Sequence, residues 1–367
     1  MKSGEPVEQC HPTIIGLEAR SVRVPMPHPH QTASGTITDS PLVLIDLVTD
    51  EGTRGHAIVF TYTATALEPT AQLVRGMEPL IKGAPLAPRA IESRLSKRFR
   101  LLGTQGLVGM AMAGIDMAAW DALARYQRLP LVRLLGGEPC PVPVYGGIGY
   151  DGVEGVARAA ERWAELGVGG VKAKIGYPTV DEDLAVIRAM RDAAGPGMAI
   201  MVDYNQSLSE AEAMHRLPRL DEEELAWVEE PLLAHDYRGH ARLAERFQTP
   251  IQCGENWWGA TDLQHAIDAG TRGLVMADAM KIGGVTGWLR AASLAEAHGL
   301  RVSSHLWTEL SARLLCCTPT GHWLEYIDWW NPVLQAPLEI RDGHVLPDDL
   351  VGSGISWDED AIRRLVH

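Results

Sequence analysis

The sequence predicts an α/β protein: a β/α barrel preceded by a smaller α+β region. Three observations carry that prediction. Beyond residue 139, short apolar runs alternate with amphipathic helical stretches at roughly 20–30-residue spacing, the repeat of a β/α barrel. Run after run ends in a residue that can bind metal or move protons: Lys174, Asp203, Glu229, Glu255, Asp278, His305 and Glu325. The chain before this repeat keeps a different rhythm, β-rich first and helical afterwards. A doubly wound sheet also places ligands at strand ends, but it does not converge so many strands on one point.

Taken in order, residues 13–63 read as β-rich. The run 41–48 is a strand, Asp50-Glu51-Gly52 a turn, and 55–63 the return strand. From 64 to 126 the pattern is helical. The segment 103–124 is rich in Ala, Gly and Met, as expected of a helix packed closely on its neighbours, with its methionines as core filler. Prolines at 139–143 mark a boundary. The strands of the repeat are then 142–145, 170–174, 199–203, 226–229, 251–255, 274–278, 301–305 and 323–326.

Composition narrows the function classes. A net charge of −14 disfavours nucleic acid as a partner. The five cysteines are odd in number and form no Cys-x-x-Cys pair, which fits a reducing cytoplasm. Cys316-Cys317 read as buried small residues in a helix, not a disulfide. The N-terminus has no apolar signal core. The most apolar helix is interrupted by Asp116 and Asp121, so no membrane span is expected.

Lys172 and Lys174 sit in an otherwise apolar, glycine-rich strand, and residues two apart share a face. Burying a charge is costly unless it is paired. Two adjacent cations are expected to lower each other's pKa, giving a usable base near neutral pH. The competing reading is an exposed edge strand with two solubilising lysines. Asp203, Glu229 and Glu255 end three consecutive strands. Three carboxylates without Cys or His suit a hard cation, with Mg²⁺ the first choice; otherwise they are unrelated carboxylates at helix N-termini. His305 follows Val302-Ser303-Ser304, and Asp278 on the neighbouring strand can fix its tautomer. Together these residues allow a carboxylate to chelate the metal while Lys174 and His305 reach its α-carbon from opposite sides. Glu325 can donate a proton or hydrogen bond to the carboxylate, and Lys172 can hold it.

Gly147-Ile148-Gly149-Tyr150-Asp151-Gly152 matches G-x-G-x-x-G after a strand. A dinucleotide fold wants an acidic residue at the next strand end, where this chain has Lys172 and Lys174. The motif is better read as a tight loop beside the substrate.

Several segments are very specific in this order. They are Ile115-Asp116-Met117-Ala118-Ala119-Trp120-Asp121, Lys172-Ala173-Lys174-Ile175-Gly176-Tyr177-Pro178, Ile200-Met201-Val202-Asp203-Tyr204-Asn205-Gln206-Ser207, Glu229-Glu230-Pro231 and Gly254-Glu255-Asn256-Trp257. Asp278-Ala279-Met280-Lys281-Ile282-Gly283-Gly284-Val285-Thr286-Gly287-Trp288, Ser303-Ser304-His305-Leu306 and His322-Trp323-Leu324-Glu325 complete the set. Through them the chain resembles the enolase superfamily, and within it the mandelate racemase and muconate lactonizing enzyme family, over nearly its whole length. The resemblance implies an α+β capping domain from residues 1–138, a modified (β/α)₇β barrel over 139–335, and a tail, 336–367, that completes the cap. It implies Asp203, Glu229 and Glu255 as Mg²⁺ ligands, Lys174 and the His305–Asp278 pair as bases, Glu325 as the electrophilic acid, Lys172 as the carboxylate-binding lysine and Asn205 near the substrate. Tyr62 and Leu306 match pocket residues.

Other pocket positions depart from the family. Where racemase-type members surround a phenyl ring with capping-loop valines, this chain has His30, Ser34 and Ile37, and a substrate-contacting serine is replaced by Gly147. Apolar burial favours a phenyl group at about 25 cal/mol per Å², and unpaired polar groups offset it, so a more polar substrate is expected.

The activity implied is Mg²⁺-dependent abstraction of the α-proton of a small 2-hydroxycarboxylate through an enediolate, with racemisation or epimerisation as outcome. An acid-sugar dehydratase is the alternative, and a non-catalytic metal-binding scaffold the third. The family resemblance implies a homo-oligomer, commonly an octamer. Of the eleven tryptophans, Trp257, Trp258, Trp307, Trp329 and Trp330 are expected on rim loops, at the pocket or an interface.

Overall fold

The computed structural model describes residues 12–32 and 35–365. Ser34 therefore lies outside the described residues. The chain opens with an antiparallel sheet of β1 (Ile14–Thr32), β2 (Gly35–Thr49) and β3 (Arg54–Phe60), in that order. The apolar run 42–45 in β2 is wholly buried because helices cover the sheet. The β1–β2 register breaks between Pro25 and His30, where three prolines in six residues cannot donate to the ladder. The pairing resumes with His30 opposite Ile37.

The helical region is three helices, α1 (Ala64–Ile81), α2 (Pro88–Phe99) and α3 (Gly106–Tyr126), followed by the short α4 (Leu131–Leu134). Thr63 caps α1 through its side chain, and Pro88 opens α2, where a missing N–H costs nothing. Helix α3 is long and apolar enough to span a bilayer by length and composition, but it is packed inside the fold. Its neighbour β3 comes so close that a Cβ on Gly55 would meet the Ala118 carbonyl oxygen at 2.1 Å.

The barrel follows. Its strands are β4 (Val142–Ile148), β5 (Gly170–Lys174), β6 (Ala199–Asp203), β7 (Trp227–Glu229), β8 (Ile251–Gln252), β9 (Leu274–Asp278), β10 (Arg301–His305) and β11 (Leu324–Tyr326). The helices between them are α5 (Gly152–Glu165), α6 (Val180–Ala194), α7 (Glu210–Leu220), α8 (Tyr237–Arg246), α9 (Ala260–Ala269), α10 (Gly284–Ala297) and α11 (Thr308–Leu315), giving (β/α)₇β. Strands β4 to β8 pair in parallel and β11 returns to β4; β9 pairs with β10. Fewer contacts close the two remaining seams: a Cys253–Val275 bridge between β8 and β9, and hydrogen bonds from β10 to the approach of β11 that include Ser304 N to Trp323 O at 2.9 Å and His322 N to Val302 O at 2.8 Å. A capping box starts both α6 and α7. In the C-terminal segment β12 (His344–Val345) pairs with β4, and α12 (Glu359–Leu365) packs on β1.

One strand is shorter than its sequence suggests. β8 ends at Gln252, and Glu255 sits in the turn beyond it, entered through Gly254 at φ 134°. Only glycine fits there, because a Cβ would lie 2.0 Å from the Met276 carbonyl oxygen.

Candidate active site

Register puts the chemistry at one height. Lys174 pairs with Asp203, Asp203 with Glu229, and His305 with Asp278. Asp203, Glu229 and Glu255 are buried, and one oxygen from each lies within 4.8 Å of the others. The turn after β8 brings Glu255 back to that level. Six of the nine non-glycine residues with positive φ among the described residues cluster at this rim: Tyr62, Asn205, Gln206, Glu230, Leu306 and Trp307. Such backbone is unfavourable and persists where the surroundings over-determine it.

Cations bracket the three carboxylates. Lys172 Nζ donates to Glu229 Oε1 at 2.8 Å and lies 3.2 Å from Glu325 Oε1. Lys174 Nζ donates to Asp203 Oδ2 at 2.9 Å and to Asn205 Oδ1 at 2.6 Å. His305 Nε2 lies 3.3 Å from Glu255 Oε2, and its Nδ1 is 2.7 Å from Asp278 Oδ2. Asp278 is fixed in turn by the N–H groups of Met280 and Lys281 and by the Tyr62 hydroxyl, which donates at 3.3 Å.

The expectation of depressed lysine pKa values is not met. Burial lowers both, but Glu229 and Glu325 around Lys172, and Asp203 and Glu255 around Lys174, outweigh it, so both stand raised. The carboxylates set the lysines' protonation more strongly than the lysines set each other's. His305 also stands raised: burial opposes it, and Glu255 and Asp278 prevail. Glu325 is held below its usual range, with Lys172 and His305 overcoming burial. Glu229 is pushed well up by burial and by Asp203 and Glu255, against the pull of Lys172. Glu255 is drawn down by His305 and the lysines, against burial.

A hard divalent cation fits this donor set. Three converging carboxylates with no sulfur or imidazole among them suit Mg²⁺, and a cation there relieves the crowding that raises Glu229.

Beside the triad opens a cavity of about 530 Å³. Lys172, Lys174, Asn205, Glu255, His305 and Glu325 line it together with His30, Ile37, Tyr62, Gly147 and Leu306. His30 lies in the cavity wall, its ring centroid 5.1 Å from that of Trp329. Burial, then Lys174, lowers its pKa to about 4, so it is neutral at pH 7. Phe60, Trp163, Ile148, Ile327 and Trp329 give the cavity an apolar face. Of the pocket positions expected to be polar, His30 supplies one uncharged imidazole, and Gln206, Asn256, Lys281 and Asp328 also line the cavity. A Cβ on Gly147 would lie 3.7 Å from Glu325 Oε1, so the missing side chain widens the cavity beside that carboxylate.

Of the five tryptophans expected at the rim, Trp258 and Trp329 line the cavity, while Trp257, Trp307 and Trp330 are core residues. Met110 lines the cavity and is more than core filler. The glycine loop holds the cap: Tyr150 N donates to Gln31 O at 3.0 Å, and a Cβ on Gly149 would meet that oxygen at 2.9 Å.

Sequence reasoning gave no role to Lys281 and Asn256. Lys281 Nζ donates to Asn256 Oδ1 at 2.6 Å and lies 4.6 Å from the Tyr62 ring centroid. Asn256 Nδ2 donates to Glu230 Oε2 at 2.6 Å and Glu255 Oε1 at 3.1 Å. The available signal was a lysine three residues past a strand end in an otherwise apolar turn.

Residues 14–136 match the mandelate racemase / muconate lactonizing enzyme N-terminal domain, and residues 155–361 the enolase C-terminal domain-like family. The chain belongs to the mandelate racemase and muconate lactonizing enzyme family of the enolase superfamily. An enolase from Bradyrhizobium, crystallised with magnesium and mandelic acid, superposes with a TM-score of 0.93 at 41% identity over 97% of this chain and 99% of that one. L-talarate/galactarate dehydratase of Salmonella typhimurium is 30% identical over 89% of this chain and 83% of its own length. D-galactarolactone cycloisomerase of Agrobacterium fabrum is 30% identical over 91% and 93%. As a member of this superfamily, the protein is a Mg²⁺-dependent enzyme. The family spans dehydratases and isomerases, so membership alone leaves the reaction open.

Proposed function

We propose that this enzyme racemises or epimerises a 2-hydroxycarboxylate through an enediolate. One observation carries the reading: two proton-transfer groups approach one carboxylate triad from different members, Lys174 at Asp203 and His305 at Glu255. Asp203, Glu229 and Glu255 hold Mg²⁺, which when bound neutralises charge on the substrate carboxylate. Lys172 holds that carboxylate. Lys174 exchanges the α-proton on one face and His305 on the other, with Asp278 keeping the imidazole oriented. A substrate carboxylate drawing on Lys172 weakens its hold on Glu325, whose pKa then rises enough to share a proton with the developing enediolate. Each base leaves its carboxylate partner to take the proton, so substrate entry must displace those contacts.

The wall of Phe60, Trp163, Ile37 and Trp329 favours an apolar or aryl group on the α-carbon. Gln206, Asn256 and Lys281 line the same cavity and favour the dehydratase reading, in which a polyol loses its β-hydroxyl with His305 as acid. Proton NMR in D₂O with Mg²⁺ and acids from mandelate to hexarates separates the two. Loss of the α-proton signal with inversion and no keto acid is expected. Formation of a 2-keto-3-deoxy acid would replace this reading with dehydration.

A further inference from the structure

We propose that Cys140 and Cys316 are a redox-modification site, a thiol pair that closes into a reversible disulfide fastening the segment before β4 to the end of α11. The two Sγ atoms lie 2.9 Å apart. Cys140 N donates to Cys316 Sγ at 3.4 Å, and the Cys316 thiol points at the Cys140 carbonyl at 3.4 Å. A disulfide needs an S–S distance of about 2.05 Å, so the side chains already face one another and closure asks for little movement.

The packing that brings them together does not rest on the two facing sulfurs. At Gly137 a Cβ would lie 2.8 Å from Cys317 Sγ and 3.0 Å from the Cys316 carbonyl oxygen. The linking segment therefore passes the end of α11 closer than a side chain allows. Cys316 is the C-cap of α11 and Cys317 follows it; both are half-buried, which corrects the expectation of two buried helical residues. The adjacent thiol is aimed elsewhere, at the Val132 carbonyl oxygen 3.5 Å away. Cys253 is buried.

Access sets the order of events. Cys140 is exposed, so it meets the oxidant first. Its thiolate attacks a low-molecular-weight disulfide and releases one thiolate. The Cys316 thiolate then attacks the Cys140 sulfur of the mixed disulfide and releases the second. Two protein thiols and one small disulfide become one protein disulfide and two small thiols. Burial, with the neighbouring Cys140, pushes the Cys316 thiol up to about 12, so closure is slow at neutral pH and quickens as pH rises. Cys140 precedes the start of β4, which places the pair on the barrel face opposite the catalytic rim.

The test is incubation of the whole protein with oxidised glutathione, alkylation, digestion without reductant and mass spectrometry. A peptide pair joined through Cys140 and Cys316 is expected, with the free-thiol count falling by two. Because the pair encloses 176 positions of chain, the oxidised form should melt about 5 °C higher, reversibly with dithiothreitol. Cys140→Ser and Cys316→Ser should lose both the link and the shift, and Cys317→Ser should keep them. A link through Cys317 or Cys10, no link at all, or a shift that survives in Cys140→Ser would overturn the proposal.

Discussion

Lys174 and His305 reach the triad at different carboxylates, so their removal separates the two half-reactions. Lys174→Ala and His305→Asn should each abolish α-proton exchange from one enantiomer while sparing the other. Exchange followed enantiomer by enantiomer in D₂O checks this, and equal loss on both would sink the two-base assignment. Lys281 makes a subtler case. It touches no triad oxygen, yet it holds Asn256, which holds Glu255. Residues that orient a metal ligand are typically worth 10–100-fold in affinity, so Lys281→Met should weaken Mg²⁺ binding about tenfold in calorimetry. Unchanged affinity would confine Lys281 to the pocket wall.

Elements, not only residues, set the site's tolerance. The His240 ring on α8 accepts a hydrogen bond from Leu232 N at 3.3 Å, bracing the turn after Glu229-Glu230-Pro231. Burial lowers its pKa to about 4, from an unfolded value of about 6.5. The folded state therefore binds fewer protons between those values, and the stability is intact above pH 6.5 and lost as pH falls toward 4. Burial raises Asp116 to about 7, which acts in the opposite sense over much of that range. The difference between wild type and His240→Gln isolates the histidine: it should move by roughly 3 kcal/mol between pH 7 and pH 4 in urea titrations. Gly55 on β3 faces the α3 backbone, so Gly55→Ala should cost about 3 kcal/mol by the same measurement. A cost under about 1 kcal/mol would mean the helix can retreat. These elements also mark what was legible in the sequence. A charged residue closing an apolar run is a local signal, and it located Lys174, Asp203, Glu229, Asp278, His305 and Glu325. Glu255 was found although its strand stops earlier, because the turn through Gly254 restores the height. Trp329 was named as a rim residue, but Trp163 was not legible as a wall residue, because an aromatic residue facing a cavity has the same local pattern as one facing the core.

Across the whole molecule, three polar joints hold cap, tail and barrel together. Asp116 on α3 accepts from Thr286 N at 2.9 Å and from its hydroxyl at 2.5 Å, while Trp120 donates to that hydroxyl. Asp121, fully buried, accepts from His56 N, Arg125 and Ser353 N. Trp357 Nε1 donates to Asp46 at 2.6 Å, tying the tail to β2. Two motifs far apart in the chain, around Asp116 and around Thr286, are thus one joint. Asp121→Ala would leave two backbone donors unpaired and take one partner from the Arg125 guanidinium, and should cost about 3 kcal/mol in equilibrium unfolding. A loss below about 1 kcal/mol would show that water replaces the carboxylate.

The pairing of His30 with Ile37 across the β1–β2 tip has a consequence for engineering. Both wall residues belong to one ladder rung, and a one-residue slip of either strand would turn its side chain to the opposite face and break the rung. A library that varies the identities at 30 and 37 while fixing the tip length keeps every variant aimed at the cavity. Indels there would scramble the reading frame of the hairpin instead of exploring new substrates.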